Sequence, residues 1–316
     1  MRVAISGANG YIGSYLACYL LKQGCEVIAI SRKFSTIIEQ QLQGATFITA
    51  DVLTDGFENM AISCDTFIHA ASSNDILSKD FKKGVDLSVY GTKNALNLCI
   101  KNGIKNFVFF STIQVLGTEL KGTYTDESKA VIESNYAFNH LMAEEYLKFF
   151  VTKNNINGLI IRPANIYGAM LDTSIDRWTL VPNCFCKEAV EKGTITLLSS
   201  GKQNRSFLSL ENICRGTYNA IIKFKDEKLK TLNFANTKNY TIVQLAKWTK
   251  EVLEQELKIS VNLLIKSNQP AAGNEFTIDI SSLHNNNIFL EETEASFKNE
   301  VIKIIHSLKA KTNESG

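Results

Sequence analysis

Close to its start the chain carries a glycine-spaced turn, Gly7-Ala8-Asn9-Gly10-Tyr11-Ile12-Gly13. It lies between the apolar run Val3-Ala4-Ile5 and a helix-like stretch from Tyr11 to Gln23. Strand, glycine turn and helix, in that order, are what a dinucleotide pyrophosphate needs. Glycine permits the tight turn and lets the backbone approach the phosphates. The helix start adds unpaired N–H groups and a partial positive charge. Glycines at such spacing also occur in ordinary tight turns; the flanking strand and helix favour the binding reading.

The rest of the first half repeats this alternation. Glu26–Ile30, Thr46–Ala50, Thr66–Ala70, Phe107–Ser111 and Leu159–Arg162 read as strands. Their nearly continuous apolar runs fit parallel strands covered on both faces. Helix-like stretches lie at Tyr11–Gln23, Val85–Lys101 and Tyr136–Lys153, with Gly24 and Gly103 where C-terminal caps belong. The pattern predicts an α/β fold with a doubly wound parallel sheet. Beyond Arg162-Pro163 it loosens. Helices are expected at Pro182–Lys192, Glu211–Lys223 and Thr241–Leu257, strands at Thr194–Leu198 and Ser260–Ile265, and a frayed end from Ala310 to Gly316.

With 316 residues, nearly half of them apolar, the chain can bury a large core in one extended domain or two. A net charge of +2 with dispersed basic residues argues against a nucleic-acid binder. No apolar run approaches transmembrane length. The first core strand leaves no room for a signal peptide, and seven cysteines without framework spacing fit reduced thiols. A cytoplasmic protein is therefore expected. Cys184 and Cys186 lack the further ligands of a metal site and read as packing, so no metal is expected. Trp178 and Trp248 read as core, His69 as part of a strand, and His284 and His306 lie by no recognisable site.

Seven stretches now stand in one order: Gly7–Gly13, Ala50-Asp51-Val52, His69-Ala70-Ala71, Ser111–Gly117, Tyr136–His140, Arg162–Gly168 and Arg205–Asn212. Over roughly residues 1–225 the chain resembles the extended short-chain dehydrogenase/reductase family of NAD(P)-dependent nucleotide-sugar epimerases, dehydratases and ketoreductases. The resemblance implies a Rossmann-type dinucleotide-binding domain over residues 1–165. A smaller, mainly substrate-binding lobe would follow over 166–316, with part of 205–225 packing back on the first. In such proteins a tyrosine moves the proton while hydride passes to or from the nicotinamide. Tyr136 matches it, a buried tyrosine opening a helix being the plainer alternative. Thr112 matches the hydroxyl residue that bonds the same substrate oxygen, and Ser111 is structural or faces the cofactor. Leu116 stands where the family has tyrosine. The resemblance also places Gly7, Asn9, Gly10, Tyr11, Ile12, Gly13, Ser31, Asp51, Val52, Ala70, Ala71 and Pro163 at the cofactor, Asp51 at its adenine or else in a cap or turn. Gln114, Asn165 and Arg205 fall at the substrate, with turn asparagine and exposed arginine as alternatives for the last two. The two helices 85–101 and 136–153 are those through which members often dimerise, which implies a homodimer.

One departure falls four residues after the tyrosine, where the family's lysine is His140. Helical spacing still brings the pair to one face. An imidazole can bond the nicotinamide ribose, but with a pKa of about 6.5 it carries little fixed charge at neutral pH. His140 thus marks a working substitute in an enzyme that needs Tyr136 protonated, a slow or pH-sensitive enzyme, or lost catalysis. Retained Tyr136 and Thr112 favour the first two.

The second strand ends Ile30-Ser31-Arg32-Lys33, with no carboxylate for a ribose 2′-OH. Arg32 suits a 2′-phosphate, a solvated loop arginine being the alternative, so NADP(H) is preferred, with NAD(H) possible. Reductases consume NADPH, whereas epimerases retain NAD. The leading expectation is therefore an NADPH-dependent reductase of a keto group on a nucleotide-linked sugar. An epimerase or dehydratase of the same family comes next. No arginine follows Arg215, where the family expects a second phosphate ligand, which keeps a small-carbonyl reductase in view. A non-catalytic NADP sensor is the remaining reading.

Overall fold

The computed structural model describes residues 1–266 and 274–314. Seven parallel strands form the central sheet, in the order 229–234, 157–163, 106–110, 66–69, 2–6, 26–31 and 46–49. Strand residues alternate between two apolar layers. Val3, Ile5, Val27 and Ala29 face helices Tyr11–Lys22 and Leu210–Phe224, through Leu16, Leu20, Ile213, Ile221 and Phe224. Ala4, Ile28, Ile30 and Phe67 face helices Gly91–Lys101 and Asn135–Lys153, through Leu96, Cys99, Leu147 and Phe150. The predicted doubly wound sheet is thus present, and each of its five expected strands lies within two residues of its observed bounds.

Two features differ from the sequence expectation. Helix Leu210–Phe224 packs back on the first half's sheet in line with expectation, but the edge strand Leu229–Phe234 that follows it, also from beyond residue 165, was not expected. A division at residue 165 therefore cuts through the sheet. Its alternating Lys230-Thr231-Leu232 start hides it, because an edge strand buries less than a central one. The expected helix 85–101 is also composite: an α-helical turn Phe81–Val85, a π-helical turn Asp86–Tyr90 and the α-helix Gly91–Lys101. Its extra residue per turn re-aims Ser88 into a buried hydroxyl cluster with Ser72 and Ser73.

A second lobe packs helices Val181–Lys192, Ile242–Leu257 and Glu294–Glu314 around Tyr167, Phe185, Leu245, Phe297 and Val301. Strands Thr194–Leu197 and Asn262–Ile265 pair in parallel beside them. The last helix runs to Glu314, into the stretch expected to fray; Ser315 and Gly316 lie outside the described residues. Among the described residues no helix is long and apolar enough to cross a membrane.

Candidate active site

Strand order reverses between 2–6 and 66–69, and the cleft opens at the carboxyl ends of these two strands. Gly7 has φ +81°, a left-handed conformation that favours glycine, and its carbonyl accepts from Gly10 N at 2.8 Å. A Cβ on Gly13 would lie 2.2 Å from the Gly7 oxygen, so the helix can start this close only with glycine there. Gly10 caps the helix without a side-chain bond, and the first-turn residues Tyr11, Ile12 and Gly13 line the cleft.

That cleft measures about 690 Å³, within the range of small-molecule sites. Its walls are Gly7, Asn9, Gly10, Tyr11, Ile12 and Gly13 at the turn, Ser31, Arg32 and Lys33 after the second strand, Asp51 and Val52 after the third, and Ala70 and Ala71 after the fourth. Asn9 Oδ1 accepts from Ser35 N at 3.2 Å, joining the turn to the Arg32 loop. Asp51 lines the cleft, and its Oδ1 accepts from Leu53 N at 2.9 Å, the turn role that its sequence position also allowed. A helix start, a glycine cradle and two cations fit a dinucleotide.

Tyr136, Thr112 and His140 form a second cluster, outside the walls of that cleft, as do Ser111 and Pro163. Ser134 caps helix Asn135–Lys153 by accepting from Ala137 N at 3.1 Å, which fixes Tyr136 in the first turn. Burial lifts Tyr136 above the ordinary phenol range, while its hydrogen bond with Thr112 and the charge of Arg177 oppose that rise. The phenol thus stays protonated at neutral pH, the form that donates. His140 packs edge-on to Tyr136 with ring centroids 4.6 Å apart. Its Nε2 lies 3.2 Å from the Ser73 carbonyl oxygen, a bond in which the ring N–H donates. Burial pushes its pKa down to about 4, against the Ser73 carbonyl and Glu144, so the ring is neutral at pH 7. One ring nitrogen of His140 is therefore engaged with the main chain, while buried Nδ1 has no hydrogen-bond partner among the described residues. Ser111 donates to Glu144, not to the cleft, which places its hydroxyl in the core.

Gln114, Asn165 and Arg205 line one cavity of about 120 Å³, together with Ile113, Leu120 and Phe276. Asn165 and Arg205 also line an adjoining groove of about 330 Å³ with Phe185, Leu198 and Gln203. Asn165 Nδ2 donates to the Ser206 carbonyl at 2.9 Å, which fixes its side chain at the cavity. Sequence reasoning missed Arg177, which lines the large cleft beside Asn74 and Leu77 and pairs with Asp75 at 3.6 Å. It sits in a loop with no periodicity and no motif, so no local signal marks it.

A family model described as the NAD dependent epimerase/dehydratase family matches residues 3–235. The chain belongs to this family. UDP-glucuronic acid decarboxylase 4 of Arabidopsis thaliana is 26% identical over 267 residues, covering 82% of this chain and 59% of that protein. The chain thus spans about three fifths of the length of the decarboxylase. A dTDP-4-dehydro-6-deoxy-D-allose reductase from Streptomyces sp is 22% identical, with 82% of this chain and 83% of that one covered. Among solved structures, a UDP-glucose-4-epimerase from Stenotrophomonas maltophila with bound NAD and formylated UDP-arabinopyranose superposes with a TM-score of 0.84. It is 16% identical and covers 98% of this chain and 99% of that one. The epimerase/dehydratase fold is therefore present essentially whole. Relatives in the family include decarboxylases, epimerases and reductases of nucleotide sugars.

Proposed function

We propose that this chain is an NADPH-dependent reductase of a keto group on a nucleotide-linked deoxysugar. The observation that carries the reading is the cation pair Arg32-Lys33 on the cleft wall at the end of the second strand, where a 2′-phosphate would sit. The Streptomyces reductase shows that such a reaction occurs among its relatives. When bound, the cofactor supplies a hydride to the carbonyl carbon. Tyr136 gives its phenolic proton to the carbonyl oxygen, so the C=O bond becomes C–H and O–H. The Thr112 hydroxyl lowers the phenol's pKa and can share the developing charge on the oxygen. Gln114, Asn165 and Arg205 orient the substrate, Arg205 by pairing with a phosphate.

NADPH should bind more tightly than NADH, and Arg32→Ala should reduce that preference roughly ten- to a hundredfold, the worth of charge-assisted hydrogen bonds. Isothermal titration of both cofactors checks this; equal affinities in the unsubstituted protein would remove the argument for reduction. With a 4-keto nucleotide sugar, NADPH should be oxidised one for one with product. A second reading, an epimerase or dehydratase with a retained cofactor and no net oxidation, is supported by the family match. Turnover without NADPH loss would establish it.

The reading includes a homodimer built on helices Gly91–Lys101 and Asn135–Lys153. Tyr90, Met142 and Phe149 stand exposed along that face, Phe149 at 57%. Light scattering should give a dimer, and Phe149→Glu a monomer. A Phe149→Glu protein that keeps the dimer mass would place the interface elsewhere.

A further inference from the structure

Beyond residue 87, Arg177 is the one described residue that reaches the wall of the large cleft; every other wall residue comes from the first half of the sheet. Its loop lies between strand Asn165–Tyr167 and helix Val181–Lys192, so it belongs to the second lobe. The guanidinium is about a quarter exposed and is tethered by Asp75, whose own side chain is 62% exposed. Asp75 follows two residues after Ser73, whose carbonyl holds His140. One short loop, Ser72–Asp75, thus connects the neutral helix residue beside Tyr136 to a permanent cation from across the cleft.

The cations of the cleft wall are Arg32, Lys33 and Arg177. Arg32 and Lys33 follow the second strand, whereas Arg177 stands with Asn74 and Leu77 beyond the fourth. We propose that Arg177, carried by the second lobe and tethered by Asp75, provides at the reacting end of the site the fixed positive charge that His140 does not. The inference rests on the role assigned above to Tyr136. The phenol packs on the neutral His140 ring, which is held by the Ser73 carbonyl of the loop whose Asp75 pairs with Arg177, and the charges of Arg177 and Asp75 act on the phenol in opposite senses. An arginine suits this post because it stays charged at any working pH, whereas a buried lysine or histidine loses its proton. Placing the charge on the second lobe also makes it depend on that lobe being seated over the cleft.

The test reads the phenol directly, without cofactor or substrate. A ring-fluorinated tyrosine placed at position 136 titrates below tyrosine, and its fluorine resonance reports the midpoint in the apoprotein. Arg177→Gln should raise that midpoint by roughly 0.5–1 unit, the lower end of the range for a nearby opposite charge because the pair is partly solvated. Arg177→Lys should leave it in place, and Asp75→Asn should lower it. Both partners are partly exposed, so these variants retain the fold. A midpoint unmoved by Arg177→Gln overturns the inference, as does movement in the same direction by Arg177→Gln and Asp75→Asn, which would mark the pair as a strut. Turnover of Tyr136→Phe separates the two claims. Full turnover with the shifts as stated removes the reductase assignment of Tyr136 and leaves the charge pairing. Lost turnover with an unmoved midpoint removes only the pairing.

Discussion

Tyr136→Phe should lower keto-sugar reduction by about 10²–10⁴-fold, the usual contribution of a positioned proton donor, with NADPH affinity retained. The phenol ring also packs against His140, and phenylalanine keeps that contact. Only the hydroxyl is lost, with the influence of the Thr112 hydroxyl on it. Burial holds the phenol protonated across neutral pH, the form that a carbonyl reduction draws on. Rate should therefore stay level through neutral pH and fall only on the alkaline side, as the donor loses its proton. Steady-state rates of both proteins across pH check this. Undiminished turnover in Tyr136→Phe would mean that another group supplies the proton.

The cofactor end of the site was legible in the sequence because its chemistry is local. Gly7, Gly10 and Gly13 are demanded by backbone geometry within one turn, and Arg32 follows one strand later. The apolar strands were legible for a related reason: a strand covered on both faces must be apolar along its length. Edge strand 229–234 lacks that signature and was not read. His140 shows a different limit. Its spacing from Tyr136 is visible in the sequence, but the engagement of Nε2 with the Ser73 carbonyl depends on a loop 67 residues away. Arg177 is the extreme case, since its meaning comes entirely from the fold carrying the second lobe over the cleft.

Glu144 was not singled out in the sequence, yet its removal should cause one of the largest losses of stability in the molecule. It is fully buried on helix Asn135–Lys153, two helical turns beyond Tyr136. Arg162, only 3% exposed on strand Asn157–Pro163, donates to it twice, Nε to Oε1 at 2.8 Å and Nη2 to Oε2 at 2.6 Å. Ser111 Oγ donates to the same carboxylate at 2.5 Å. Glu144→Ala leaves the guanidinium buried with only a long bond to the Asp126 carbonyl, at 3.4 Å. Breaking one side of such a pair costs about 3–5 kcal/mol, a large part of the roughly 5–15 kcal/mol that holds a typical domain together. Equilibrium denaturation should show this loss, with Glu144→Gln less affected because the amide oxygen still accepts. Replacing both partners by apolar residues, Glu144→Leu with Arg162→Met, should recover much of it, since no charge is then stranded. A single Glu144→Ala change costing less than about 1 kcal/mol would show that the core relaxes around the guanidinium. The carboxylate also holds Ser111, the neighbour of Thr112 in the chain. Helix Asn135–Lys153, strand Asn157–Pro163 and Ser111 are joined by the Glu144 carboxylate. Glu144→Gln should therefore lower kcat more than it raises KM, while the buried ion pair itself never meets the substrate.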